Sequence, residues 1–464
     1  MDFSVVDKWL EKNLPDMEAD LAGLVRHNSV EAKAEGDAPF GAEVEAALKA
    51  ALDAAERLGF SVRNEHYYGI ADMGDVEGSD GNFYAVLGHL DVVPAQPQEW
   101  EHDPFELFED DGKLFGRGSI DDKGPVLAAL YGAAALKKFG FEPQKPLRFI
   151  FGTNEETKMA GVAEYVKKEK MPLGGFTPDA EWPVVIGEKG IFHFELASKW
   201  NQDDAKDEPL TLISFESGTA KNIVPAKAQA RFAINEGAEL SFPDAEDVMV
   251  GLDGEDILIT AYGIAAHGST PEQGDNALTK LLHYIKDIKF GPAGAKDFVC
   301  KLDRLTLDDK NGSEMGFALS DDLSETTVSP NMLQINETEG SLLCDMRFAV
   351  THNSEKYRQL LEELVQKEHL TAKHAAAAEP LFVSADTPLV KSLLKAYRDV
   401  TGDMRDPLII GGGTYAKVIP NMVAFGCEPT DEPGRAHQAN EYITADELLR
   451  AAKVYARAVY NLSK

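Results

Sequence analysis

Cysteine is scarce in this sequence: three in 464 residues, Cys300, Cys344 and Cys427. They are scattered and no pair has metal-ligand spacing. Such a low, odd count argues against a disulfide framework and fits a reducing cytosol. Positive charge is also short. Against 46 Lys and Arg stand 79 Asp and Glu, for a net charge of −33. A surface of that sign repels nucleic acid and anionic membranes, because both are bound through Lys and Arg. It suits cationic or zwitterionic small substrates, and equally a plain solvated acidic surface. Long hydrophobic runs are missing as well, with nothing near the ~18 apolar residues of a membrane span. The amino-terminal stretch MDFSVVDKWLEKNLPDMEADL is acidic and amphipathic and lacks the basic start and apolar run of a secretory signal. A cytoplasmic protein with no nucleic-acid or membrane partner is the expectation. Short-period repeats and low-complexity tracts are absent.

What is present reads as more than one domain, since 464 residues exceed the size of a single ordinary core. Apolar positions at helical spacing predict helices over DKWLEKNLPDMEADLAGLVRH and AEVEAALKAALDAAERLGF, the second stopped by Gly59. Short apolar strands follow at 83–87 and 147–151. Between them lie a hairpin signal, Asp111-Gly112, and the long apolar helix GPVLAALYGAAALKKFG. Strand, helix, strand in that order predicts a largely parallel α/β sheet. From about residue 186 the texture changes to alternating strands (GIFHFELASKW, PLTLISFES, AKAQARFAIN, GEDILITAYG) with a turn at Asp253-Gly254. Helices near NALTKLLHYIKDI and SEKYRQLLEELVQKE belong to the same stretch. The helix PLVKSLLKAYRDV and strand MVAFGCEP then return to the first texture. The expected organisation is a mixed, mostly parallel α/β domain (1–185 and 381–464) split by an inserted α+β domain (186–380).

Ligands of open α/β sheets gather at the carboxyl ends of strands. The strand FYAVL runs into GHLDVVP, placing His89 and Asp91 at its end, and in extended backbone both point the same way. Asp91 can orient the His89 ring or hold an active-site water. The strand LRFIF runs into GTNEET. Its adjacent Glu155 and Glu156 point apart, so one can ligate while the other faces a water as general base. GRGSIDDKGP places Asp121 and Asp122 before the long helix, where a carboxylate can bridge two ions ~3.5–4 Å apart or cap the helix. GGFTPDAEWPVV supplies Asp179 and EPGRAHQANEY supplies His437. Each residue alone has an ordinary explanation: a strand-end His, a solvated Glu pair, a helix cap, a turn Asp after Pro178, a loop His. Together they form a mixed His/carboxylate set suited to Zn²⁺, Mn²⁺ or Co²⁺. GGGTYAK lacks the GxxxxGK[ST] spacing of a phosphate loop.

Six segments in fixed order, GHLDVVP, GRGSIDDKGP, GTNEET, PDAEWPVV, AHGSTPEQGDNAL and GRAHQANE, resemble the co-catalytic di-metal metallopeptidases. That family includes PepV-type dipeptidases, succinyl-diaminopimelate desuccinylase, acetylornithine deacetylase and glutamate-releasing carboxypeptidases. The long form, with DAEWPVVIGEKG and GGGTYAK, looks nearest to the PepV-type dipeptidases. The segments span residues 87 to 441, nearly the whole chain.

The resemblance implies an aminopeptidase-like catalytic domain with an inserted lid, which at about 195 residues could hold two subdomains. It implies two divalent ions, zinc foremost, with manganese or cobalt as alternatives. His89 and Asp179 would hold one, Glu156 and His437 the other, and Asp121 would bridge them, followed by a cis peptide to Asp122. Glu155 would be the base and Asp91 would support the site. In the insertion, His267 of AHGST would polarise the scissile carbonyl and Arg347 of CDMRF would grip the substrate carboxylate. Asn222 and the loop ending at Gly413 match substrate-contacting positions. The implied activity is hydrolysis of dipeptides by a monomer whose lid closes over the substrate. The alternatives are an N-acyl amino acid deacylase and a non-catalytic metal or peptide binder.

Overall fold

In a computed structural model the chain forms two compact units, Met1–Gly187 with Val383–Lys464, and Glu188–Phe382. The structure describes residues 1–464, the side chain of His374 excepted.

The first unit is built on a mixed sheet. Its strands run in the order Ser61–Asn64, Tyr68–Met73, Leu147–Gly152, Tyr84–His89, Gly174–Thr177, Met422–Ala424 and Val185–Glu188. The four from Leu147–Gly152 to Met422–Ala424 are mutually parallel. The flanking pairings are antiparallel. Parallel strands need cover on both faces, and all six residues of Leu147–Gly152 are buried. Part of that cover is the helix Lys123–Lys138, buried from Lys123 to Leu136. It packs against the carboxyl-terminal helix Ala445–Ser463. Gly132 makes the approach close: a Cβ there would lie 2.7 Å from the Ala452 carbonyl oxygen and 2.8 Å from the Ala456 nitrogen. Thr444 and Glu447 form a capping box that starts the terminal helix.

Local sequence accounts for several departures from expectation. The single helix expected over residues 7–27 is two, Phe3–Lys12 and Leu14–Val25, because Pro15 has no N–H to continue the first. The Asp111-Gly112 hairpin forms with both residues at positive φ, 48° and 73°, between Phe108–Asp110 and Lys113–Phe115. The segment MVAFGCEP is two short strands, Met422–Ala424 and Cys427–Glu428. They part at Gly426, whose φ is 78° and where a Cβ would lie 2.4 Å from the Trp182 ring.

The second unit is built on a long sheet. Its order is Val248–Asp253, Asp256–Tyr262, Lys227–Ile234, Leu210–Ser217, Thr327–Ile335, Glu339–Phe348, Gly190–Lys199, Thr371–Ala378. These pairings are all antiparallel. The helices Ala277–Ile285, Ala293–Thr306 and Ser354–Glu368 contribute to one buried cluster with the apolar face of the sheet. The turn read as Asp253-Gly254 closes one residue later: Asp253 pairs with Asp256, leaving Gly254 and Glu255 as the loop. The three cysteines are free. Among the described residues no helix is long and apolar enough to cross a membrane.

Candidate metal centre

Strand ends and loops of the first unit bring its candidate ligands together. His89 ends its strand in register with Gly152 of the neighbouring one. Its Nε2 lies 2.9 Å from Asp121 Oδ1 and 3.6 Å from Asp179 Oδ2. His437 Nε2 lies 2.9 Å from Asp121 Oδ2 and 3.1 Å from Glu156 Oε2. Two groups result, His89–Asp121–Asp179 and Asp121–Glu156–His437, each with donor atoms within 4.8 Å of one another. Asp121 belongs to both.

The supporting contacts show why these side chains stand as they do. The Asp91 carbonyl oxygen meets His89 Nδ1 at 2.9 Å, which turns Nε2 toward the carboxylates. The Asp91 carboxylate takes a different part. Its two oxygens accept the backbone N–H groups of Glu155 (3.0 Å) and Glu156 (3.1 Å), fixing the loop that carries both glutamates. Asp122 sits at the N-cap of Lys123–Lys138 but makes no cap bond. Its Oδ2 accepts the His89 N–H at 3.2 Å instead. The Asp121-Asp122 peptide is cis. His437 has φ 64°, and its loop is held by Glu428 Oε1, which accepts the Arg435 and Ala436 N–H groups.

Electrostatics distinguish the carboxylates. Burial would raise Asp121, but hydrogen bonds from His437 and His89 hold its carboxyl far below the ordinary range. Burial and the Asp121 charge push Asp179 up to about 8. Burial also pushes Glu155 well above the ordinary carboxyl range, with Asp179, Glu156 and Asp121 adding to it. Hydrogen bonds to Asp121 and Glu156 raise His437 to about 11. Burial opposes protonation of His89, yet Asp121 and Asp179 raise it well above its usual value. Six acidic side chains (Asp91, Asp121, Asp122, Glu155, Glu156 and Asp179) against two imidazoles make a cluster that attracts positive charge. Protons on the histidines supply some of it in isolation. Divalent cations fit the same donor set of imidazole nitrogens and carboxylate oxygens better.

Three residues near this cluster had no role assigned from sequence: Arg117, Glu441 and Tyr415. The Tyr415 ring meets His89 edge to face, with centroids 6.1 Å apart. It lies against Gly152, where a Cβ would be 2.4 Å from the ring. Its signal was the motif GGGTYAK, read for its glycines only. Gly413 lies in the loop just before Tyr415, outside both donor groups.

The second unit gathers its own candidates. His267 is exposed on the short strand Ala266–His267, opposite Ile223, and its Nδ1 meets Ser269 Oγ at 2.7 Å. The Asn222 carbonyl accepts the Gly268 N–H at 2.7 Å. Arg347 is buried, with Nε and Nη2 each 2.9 Å from the two oxygens of Asp345. A Cβ on Gly268 would lie 2.6 Å from Asp345 Oδ2, so Asn222, the His267 turn and the Asp345–Arg347 pair adjoin one another.

Fold and donor set together define a class: a mixed α/β sheet with two joined His/carboxylate groups that could hold divalent cations. The chain belongs to Peptidase family M20/M25/M40, whose model matches residues 85–461. It is 35% identical over 425 residues to the Beta-Ala-Xaa dipeptidase of Lactobacillus delbrueckii subsp. lactis, covering 89% of this chain and 88% of that one. It is 34% identical over 461 residues to YtjP of Bacillus subtilis (strain 168), covering 97% of each. Among solved structures it shares the fold of human carnosine dipeptidase 1, with a TM-score of 0.60 at 16% identity over 100% of this chain and 99% of the other.

Proposed function

We propose that this peptidase hydrolyses dipeptides with two divalent cations held by His89, Asp121, Glu156, Asp179 and His437. The observation that carries the reading is the pair of His/carboxylate groups joined through Asp121. Similarity to a Beta-Ala-Xaa dipeptidase at 35% identity supports the substrate class. When bound, two such ions supply Lewis acidity that lowers the pKa of a water to near neutrality. Zn²⁺ suits the donors best, and Mn²⁺ and Co²⁺ are compatible.

The protein's own groups do the rest in this reading. Glu155 accepts the proton of the attacking water and delivers it to the leaving amine. Its raised proton affinity supports that part. Asp91 acts through the backbone of Glu155 and Glu156 and through the His89 ring. His267 stabilises the oxyanion of the attacked carbonyl. Arg347, oriented by Asp345, holds the C-terminal carboxylate of the substrate, while Asn222 and the loop at Gly413 contact it. Such roles for His267 and Arg347 require the second unit to act as a lid. The reading further takes the protein to be a cytoplasmic monomer.

A panel of dipeptides, N-acetyl amino acids and N-succinyl amino acids, offered with Zn²⁺ or Mn²⁺, tests the substrate class. Dipeptides are expected to be cleaved. Turnover confined to the N-acyl amino acids would replace this reading with a deacylase.

A further inference from the structure

A buried ion pair outside the ligand set ties together two of the proposed ligand loops. Arg117 precedes Asp121 by four residues and Glu441 follows His437 by four. Both side chains are buried. The antiparallel ladder between Lys113–Phe115 and Tyr442–Thr444 is extended by one bond, Gly116 N–H to the Glu441 carbonyl at 2.9 Å. That ladder fixes the Glu441 backbone, so its side chain reaches over the loop leading to Asp121.

The carboxylate is fully engaged there. Oε1 accepts the N–H groups of Gly118 (3.0 Å), Ile120 (3.0 Å) and Asp121 (3.2 Å). Oε2 accepts from Arg117 Nη1 at 2.6 Å. Gly118 has φ 89°, a left-handed conformation open to glycine, where the loop turns beneath Oε1. Arg117 also donates from Nη2 to the His437 carbonyl at 3.4 Å, across 320 positions of sequence. The Asp121 backbone and the His437 backbone are therefore held by the two ends of one ion pair.

We propose that Glu441, acting with Arg117, is the positioning residue that sets the spacing of Asp121 and His437 and thereby the cation affinity of the Asp121–Glu156–His437 group. The inference rests on reading those three as ligands. A carboxylate that only satisfied buried N–H groups would support folding without tuning metal affinity. The clamp does both, because the N–H groups it holds belong to the ligand loop itself.

The test is a Zn²⁺ titration of the full-length protein against a chromophoric chelator, for the wild type, Glu441→Gln, Arg117→Lys and His437→Ala. Glutamine keeps the size of Glu441 but removes the charge that grips Arg117. Lysine keeps a charge for Glu441 but loses the fork that reaches the His437 carbonyl. Both variants are expected to weaken one of two Zn²⁺ binding steps about 10–100-fold, the same step that His437→Ala weakens. Saturating Zn²⁺ should then restore much of kcat in Glu441→Gln. Titrations of Glu441→Gln and Arg117→Lys that superpose on the wild type would overturn the proposal, whatever happens to the melting temperature. If Glu441→Gln does not fold, Arg117→Lys carries the same expectation and the same refuting result. If His437→Ala binds both ions as tightly as the wild type, the ligand assignment itself fails and the inference falls with it.

Discussion

Asp91 shows how one residue supports several others. Its carboxylate holds the backbone of Glu155 and Glu156, and its carbonyl turns the His89 ring. Glu155 is thus aimed from behind while its own carboxyl stays outside both donor groups. Replacing Glu155 by Gln is expected to lower kcat by ~10²–10⁴-fold, the usual contribution of a general base, with both cations retained. Steady-state kinetics with elemental analysis of the same sample checks this, and near-wild-type turnover would remove Glu155 as base. At this scale the strand-end residues were legible because apolar runs point at His89 and at the Glu155–Glu156 pair. Glu441 was not. Its partners Gly118, Ile120 and Asp121 lie more than 300 positions away, and no local pattern marks a carboxylate that binds backbone. The Asp122 side chain likewise follows tertiary geometry: the cap position was legible, the bond to the His89 N–H was not.

At the level of elements, period and punctuation carried most of the reading. The helix Ser354–Glu368 matches its apolar spacing, and the Asp111-Gly112 turn forms as its residues dictate. In the strand Thr327–Ile335, Pro330 argues locally against an interior strand. The sheet accommodates that proline with a bulge, where the register shifts between Pro330 and Met332. Two predictions belong here. A methyl group at Gly132 meets backbone atoms of the terminal helix that cannot swing aside. Gly132→Ala should therefore cost ~1–3 kcal/mol by overpacking, read as a lower denaturation midpoint, and an unchanged midpoint would contradict the close packing. Asp321 accepts from the Leu323, Ser324 and Thr351 N–H groups. Burial would raise its carboxyl, but these bonds hold it at about 2. A carboxyl depressed in the fold gives stability that is full above the unfolded value, roughly pH 4, and is lost as pH falls through 2. Thermal melts of Asp321→Asn should show a shallower loss of stability over that window than the wild type. Parallel curves would refute the assignment.

On the scale of the whole molecule, six ordered motifs implied a family and the full-length comparison bears it out. The chain divides into two compact units, Met1–Gly187 with Val383–Lys464 and Glu188–Phe382, and the middle one carries alternating, antiparallel strands. What motif order does not encode is how the second unit's strands join into one sheet, since register is set by cross-strand packing over long separations. The account stands on His89, Asp121, Glu156, Asp179 and His437 taking up two cations per chain. The most direct measurement is dipeptide turnover by chelator-stripped protein as Zn²⁺ is added back in known ratio to chain. Activity is expected to be absent at the start and to level off at two ions per chain. Full activity before any addition, or a plateau at one, would contradict the account.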